Sequence, residues 1–328
     1  MRPANAPRLR PGTDHVESWF VRANDPHRPR AVWLRSTVLT RRDGSAVAEA
    51  WCSVFDGDRT LASRQQVPLA DASYAGDGSS EVGMLSLDLS DGGGRSTGEI
   101  GSVSGRVRWD LAFRRDPGPL GAPLSLLPSD LLVDAPFPRT TLLTPVPVAT
   151  FDGHLEWGDE RWDLAGWTGM QGHNWGAAHG PEYAWGQCAF PDDEAVLEAA
   201  SGRIRIGGRT TPLISMLVLR RGGEELRFDR LLDLWRQRSS IDFPRWTLGM
   251  HGRAGEVRLE MVADPAAMVC LGYDNPAGPR SYCLNSKTAR VRLEVRPRRG
   301  PSYTLHSEHG GALELLRGEP VDEVQPVV

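Results

Sequence analysis

Short runs of alternating apolar and polar residues recur along most of this chain. The clearest spans 103–113, where Val103, Val107, Trp109, Leu111 and Phe113 alternate with Ser104, Arg106, Arg108 and Asp110. A period of two puts one set on a dry face of a strand and the other on a wet face. Val257, Leu259 and Met261 alternate with Glu256, Arg258 and Glu260, and Val291, Leu293 and Val295 with Arg292 and Glu294. In 47–55, Val47, Glu49, Trp51, Ser53 and Phe55 share one face. Further strands are predicted at 17–22, 32–39, 149–157, 185–190, 196–199, 204–206, 213–220, 225–231, 246–251, 302–306 and 312–316. Arg42-Asp43-Gly44-Ser45, Asp56-Gly57-Asp58 and Gly222-Gly223 carry turn chemistry between them. Residues 73–98, rich in Gly, Ser and Asp, suggest turns and weak edge strands. The six prolines of 117–138 exclude regular structure there beyond one short helical turn within 124–132. Long amphipathic helical windows are nearly absent. Many short strands with regular turn signals mean an all-β sandwich or barrel.

A length of 328 residues suits two domains of about 150 each. Pro145 and Pro147 read as an extended crossover, so the expected division is a flexible tail at 1–13, a β-domain at 14–148 and a second at 149–328. A hydrophobic fraction of 40% is enough for a core, and a net charge of −4 gives no electrostatic reason to expect nucleic acid. Cys52, Cys188, Cys270 and Cys283 lie far apart and form neither a disulfide framework nor a zinc spacing. The N-terminal MRPANAPRLRPG lacks the apolar run of a secretory signal, and no window reaches the length of a membrane span. The expectation is a cytoplasmic protein without an integral membrane segment. Lys287 is the sole lysine, so Schiff-base chemistry would use it or nothing.

Candidate chemistry concentrates in 157–187, which holds Trp157, Trp162, Trp167, Trp175 and Trp185, with His173, His179, Asn174, Glu182, Tyr183 and Gln187 among them. Tryptophan supplies apolar area with one N–H that needs a partner, and a few polar groups orient a ligand in an apolar pocket. The stretch therefore reads as the lining of a cavity, and barrels of about eight strands can hold one small ligand. Core packing is the plainer reading for Trp157, Trp162 and Trp167, and a satisfied buried histidine is the plainer reading for His173 and His179. The spacing of the two histidines is not a zinc motif. The glycine-rich stretches lack the strand–turn–helix setting of a phosphate loop, and no Gly-x-Ser-x-Gly elbow occurs.

The Glu17-Ser18-Trp19-Phe20 strand, paired with Gly172-His173-Asn174-Trp175-Gly176 and then Tyr183-Ala184-Trp185, resembles the lipocalin-like superfamily of AttH, hydroxyneurosporene synthase (carotenoid 1,2-hydratase) and tocopherol cyclase. The resemblance implies tandem lipocalin-like, calycin-type antiparallel β-barrels and a hydrophobic, isoprenoid- or polyketide-like small molecule as partner. Enzymatic members protonate an alkene, which needs an acid held protonated in an apolar pocket and aromatic faces to stabilise a cation. Glu17 matches the early acid, Trp19 and Phe20 the aromatics beside it, and Asn174, Trp175 and Gly176 the later motif. The Asp-His-Glu-Trp of hydratase-like members is replaced here by Gly172-His173-Asn174-Trp175, so the carboxylates expected there are missing. Glu182 or Asp163 stands as a substitute acid.

The candidate catalytic residues are Glu17, His173 and Glu182. The candidate ligand-binding residues are Trp19, Phe20, Asn174, Trp175, His179, Tyr183, Trp185 and Gln187. No metal and no cofactor is expected. A cofactor-free cyclase, hydratase or isomerase and a non-catalytic carrier both remain open, as does a barrel filled by its own side chains.

Overall fold

The structure, a computed structural model, describes residues 2–9, 12–102, 105–133, 140–206, 209–230 and 237–328. The first group of strands is β1 (His15–Asn24), β2 (Arg30–Thr40), β3 (Ala46–Asp56), β4 (Arg59–Pro68), β5 (Ala72–Tyr74), β6 (Ser80–Val82), β7 (Leu85–Ser90), β8 (Gly93–Ser102), β9 (Gly105–Arg115), β10 (Leu124–Ser125), β11 (Thr140–Trp157), β12 (Glu160–Asp163) and β13 (Trp167–Gly176). The second is β14 (Tyr183–Phe190), β15 (Ala195–Gly202), β16 (Arg205–Ile206), β17 (Arg209–Thr210), β18 (Ile214–Arg221), β19 (Glu224–Phe228), β20 (Gln237–Asp242), β21 (Arg245–Gly252), β22 (Gly255–Val262), β23 (Val269–Tyr273), β24 (Ser281–Pro297) and β25 (Tyr303–Arg317). Among the described residues the only helical segments are 3-10 turns. The strand expected at 103–113 is β9 from Gly105 onward, with 103 and 104 outside the described residues. The strand expected at 225–231 is β19, with residue 231 outside them.

The first sheet has 13 strands in the order β4-β3-β2-β1-β13-β11-β9-β8-β7-β6-β5, with β10 and β12 on β11. It curls until it is nearly closed. Ser63 Oγ on β4 donates to the Gly101 carbonyl on β8 at 2.7 Å, and Met84 N–H donates to Gln65 Oε1 at 3.2 Å. The second sheet has ten strands in the order β19-β18-β15-β14-β25-β24-β22-β21-β20, with β23 against β24. Both sheets are antiparallel throughout.

The sheets change hands at residues 177–182, between β13 and β14, rather than near 148. Pro145 and Pro147 interrupt the β11–β13 ladder only as register shifts at Leu143/Val146 and Val146/Ala149, and β11 continues through them. A proline at a bulge loses one ladder bond without ending the strand. The Gly172–Gly176 motif consequently belongs to the first barrel.

Each barrel fills its own interior. Trp19, Val21, Leu34, Trp109, Phe113 and Phe151 meet in the first. Leu197, Leu219, Trp246, Met261, Leu293 and Leu313 meet in the second. A third apolar layer lies between the barrels and is built from both: Phe20, Trp33, Trp51 and Met170 face Trp185, Leu271, Tyr273 and Leu316. Strand period places it there. Phe20, Arg35 and Trp51 stand in one cross-strand row, and Arg22, Trp33 and Ser53 in the next, all on the face opposite Trp19 and Val21. β1 is therefore buried along its whole length on both faces.

Residues 2–9 are docked rather than loose. Asn5 pairs with Gln171 through both amide groups and accepts Trp19 Nε1–H on its carbonyl at 2.9 Å. Asn5 and Arg8 are buried.

Gly172 lies directly across the ladder from Phe20, and a Cβ there would run into the Phe20 ring. Gly172→Val is expected to push Phe20 against Trp33 and Trp185 and to lower stability by about 1–3 kcal/mol. Urea unfolding checks this; an unchanged midpoint would mean that the inter-barrel layer is loosely packed.

Candidate functional site

Polar groups gather at two places. The first is the mouth of the first barrel, beneath residues 4–8. Glu17 is fully buried; its carboxylate contacts His173 Nε2 at 2.8 Å and His15 Nε2 at 3.0 Å, and accepts the Arg8 backbone N–H at 2.7 and 3.0 Å. Burial alone would raise its pKa, but these donors and the His173 charge bring it down to about 2. His173 is also bound at Nδ1 to the Ala4 carbonyl at 2.8 Å. Burial lowers the His173 pKa, opposed by Glu17, yet both ring nitrogens face acceptors that only the doubly protonated ring serves in full. Trp19 stacks on His173 with centroids 4.8 Å apart, Trp175 lies 4.6 Å from it, and the Arg8 guanidinium covers Trp175 at 4.8 Å. The resemblance cast Glu17 as an acid held protonated in an apolar pocket; it is instead a carboxylate held ionised by two histidines and the Arg8 backbone N–H.

The second place is the inter-barrel layer. Lys287 Nζ donates to Glu314 Oε1 at 2.6 Å, and the ammonium sits 5.1 Å from Trp33 and 5.5 Å from Trp185. Burial lowers the Lys287 pKa, partly offset by Glu314. Asn285 Nδ2 donates to the same Glu314 oxygen at 3.1 Å. Arg35 is caged by Tyr273, Trp33 and Trp51 at 4.6, 5.8 and 5.9 Å. Arg22 donates to the Gln187 side chain and, at 3.3 Å, to the Gly310 carbonyl. Glu198, opposite Gln187, accepts Trp185 Nε1–H at 3.0 Å and the Thr144 hydroxyl at 2.8 Å. Burial pushes this carboxyl up to about 7 against those hydrogen bonds.

Buried polar atoms without a hydrogen-bond partner are uncommon and call for an explanation. Among the described residues, seven of eight such side-chain atoms belong to this layer: Arg22 Nε, Asn24 Oδ1, Trp33 Nε1, Arg35 Nε, Ser53 Oγ, Tyr273 Oη and Asn285 Oδ1. The eighth is Arg221 Nε.

The sequence-based candidates divide between these places. Glu17, Trp19, His173 and Trp175 meet inside the first barrel. Phe20, Trp185 and Gln187 meet in the inter-barrel layer, where the Phe20 and Trp185 rings form an edge contact at 6.2 Å. Asn174 is half-buried on the outer face, and Tyr183 is half-buried at the rim of the layer. His179 lies 5.1 Å from the Tyr273 ring, and Glu182 is ion-paired with Arg203 at the surface. Trp157, Trp162 and Trp167 pack at the far end of the first barrel. The stretch 157–187 thus lines no single cavity, because alternate residues of a strand face opposite ways and the chain crosses between barrels within it. Sequence reasoning missed Arg22, Trp33, Trp51, Glu198, Tyr273 and Glu314. A usable signal existed for Glu198, a lone carboxylate in the apolar run Ala195-Val-Leu-Glu-Ala-Ala200.

No family model matches this chain. Uncharacterised proteins from two strains of Mycobacterium tuberculosis are 22% identical to it over 318 residues, covering 94% of this chain and 90% of theirs. Among solved structures, CghA with Sch210972 superposes with a TM-score of 0.60 at 12% identity, covering 96% of this chain and 95% of that one. A protein assigned as AttH from Nitrosomonas europaea gives 0.57 at 11% identity over 93% of both chains. Kievitone hydratase from Nectria haematococca gives 0.54 at 12% identity over 97% and 98%. The chain has the AttH-like tandem-barrel fold.

The Glu17 cluster generates an acid dependence. A carboxylate whose folded pKa is about 2, against an ordinary 4.5, stabilises the fold above pH 4.5 and ceases to as the pH falls toward 2. The loss is on the order of 3 kcal/mol. Glu17→Gln is expected to be less stable at neutral pH and to show a flatter stability profile between pH 4.5 and 2. Parallel profiles for the two proteins would show that Glu17 is not held ionised.

Proposed function

We propose that the inter-barrel layer binds an apolar small molecule with an isoprenoid- or polyketide-like body and acts on it by cofactor-free proton transfer: cyclisation, hydration or isomerisation. The observation that carries this reading is the concentration of unpartnered buried polar atoms in one aromatic-walled layer. Trp33, Trp51, Phe20, Trp185 and Tyr273 offer flat apolar surface, and the unpaired donors and acceptors among them offer orientation. Glu198 is the proton donor in this reading. It is a carboxyl that burial keeps near half-protonated at neutral pH, bound to Trp185, whose ring also borders Lys287. The aromatic faces would stabilise a cation formed by protonation. Two proteins of this fold point the same way: CghA was solved with Sch210972, and another is a kievitone hydratase. Glu17 and His173 take a different part here, holding residues 4–8 in the mouth of the first barrel.

Native mass spectrometry with solvent extraction, on protein purified from its own source, tests this. An apolar molecule is expected with the wild type and is expected to be lost from Trp33→Ala/Trp185→Ala. Fresh protein should convert that molecule, and Glu198→Gln should retain binding while slowing conversion by about 100-fold or more. Full retention by the double variant would place the ligand elsewhere. Binding without conversion would leave a carrier.

A further inference from the structure

We infer that the ligand of the inter-barrel layer is an anion, an apolar molecule bearing a carboxylate that Arg35 receives, with Arg22 supplying a second positive charge. The inference rests on the binding reading above and narrows its ligand class.

Charge balance in the layer leads to it. Lys287 is matched by Glu314 at 2.6 Å. At the rim, Arg64 bridges Glu49 at 3.5 Å and Asp274 at 3.2 Å, and Arg280 reaches Asp274 at 2.9 Å, so two cations meet two carboxylates. Arg22 and Arg35 are left. Both are almost wholly buried, at 2% and 4% exposure, and neither has a carboxylate within ion-pair distance among the described residues. Glu198 and Glu314 act on Arg22 only through space, and burial pulls its pKa down to about 10. Glu198, near half-protonated, offsets at most part of one charge.

A buried charge without a counter-ion is costly, far more than an unpaired neutral group. Arg35 recovers part of that cost from the rings of Tyr273, Trp33 and Trp51. Its hydrogen bonding stays incomplete: Nη2 donates to Ser18 Oγ at 2.7 Å, while Nε has no partner. Arg22 Nε is likewise unpartnered. Arg22 stands opposite Trp33 on the β1–β2 ladder and Arg35 two residues further along, so the two are diagonal neighbours on one face. A water molecule would satisfy their hydrogen bonds but not their charge. A carboxylate satisfies both, and the planar guanidinium fork matches it. The aromatic walls select a carboxylate carried on an apolar body over a small hydrated anion.

Tryptophan-fluorescence titration with retinoic acid and with methyl retinoate, on the full chain, tests this. The two probes share an apolar body and differ in charge. The acid is expected to bind at least about ten-fold tighter than the ester, since a hydrogen bond to a charged group is the stronger kind. Equal binding, or tighter binding of the ester, would overturn the anion assignment and leave the apolar site standing. Failure of both probes to bind would overturn the site reading and this inference with it. In Arg35→Met the preference for the acid is expected to vanish while ester affinity stays within about three-fold. A folded Arg35→Met that keeps the preference would remove Arg35 from the role. If that variant fails to fold, the wild-type comparison still decides.

Discussion

The central strands of this molecule must satisfy two dry faces at once. β1, β2 and β3 give one face to the interior of the first barrel and the other to the second barrel, and β14, β24 and β25 do the same from the opposite side. A strand with one wet face can send its charged residues to water. Where these strands run between the barrels they cannot, so the charges they carry there are buried, whereas Arg290, Arg292 and Arg296 on the outer part of β24 reach solvent. Arg22, Arg35, Glu198, Lys287 and Glu314 all stand where a sandwich with a solvated face would have put surface residues. The inter-barrel layer is chemically rich because the architecture leaves polar residues nowhere else to point.

Two buried carboxyl groups show how environment divides their roles. Glu17 receives two histidines and a backbone N–H, and is held as a carboxylate. Glu198 receives one indole N–H and one hydroxyl, both neutral, and burial prevails over them. The first suits a fastening: the same cluster binds the Ala4 carbonyl and the Arg8 amide, and so seats residues 4–8 over the barrel mouth. The second suits proton transfer. Distance along the chain gives no hint of this division; the donors around each group decide it.

The alternation of residues made the all-β fold legible in the sequence, and β9, β22 and β24 follow their periodic runs closely. The pairing of Glu17-Ser-Trp-Phe20 with the Gly172–Gly176 motif is a true adjacency: Glu17 faces Trp175 and Trp19 faces His173 across one ladder. The inter-barrel site was not legible. β1 and β2 mix polar and apolar residues on both faces, Arg22 and Arg35 among them, and a strand buried on both faces loses the wet–dry contrast that assigns its faces. Lys287, noted in the sequence only as the sole lysine, acquires its setting only from Glu314, twenty-seven positions on, and from Trp33 and Trp185 on two other strands. The change of sheet at 177–182 was hidden for a related reason. Prolines mark a break only where the ladder cannot absorb them, and the bulges of β11 absorb both.

Photoaffinity labelling with a diazirine-bearing long-chain fatty acid, followed by peptide mapping, tests the central claim most directly. The account expects labels on β2, β3, β14 and β23–β25, at residues such as Trp33, Trp51, Trp185 and Tyr273. Labels confined to the barrel interiors, at Trp109 and Phe151 or at Trp246 and Met261, would contradict it.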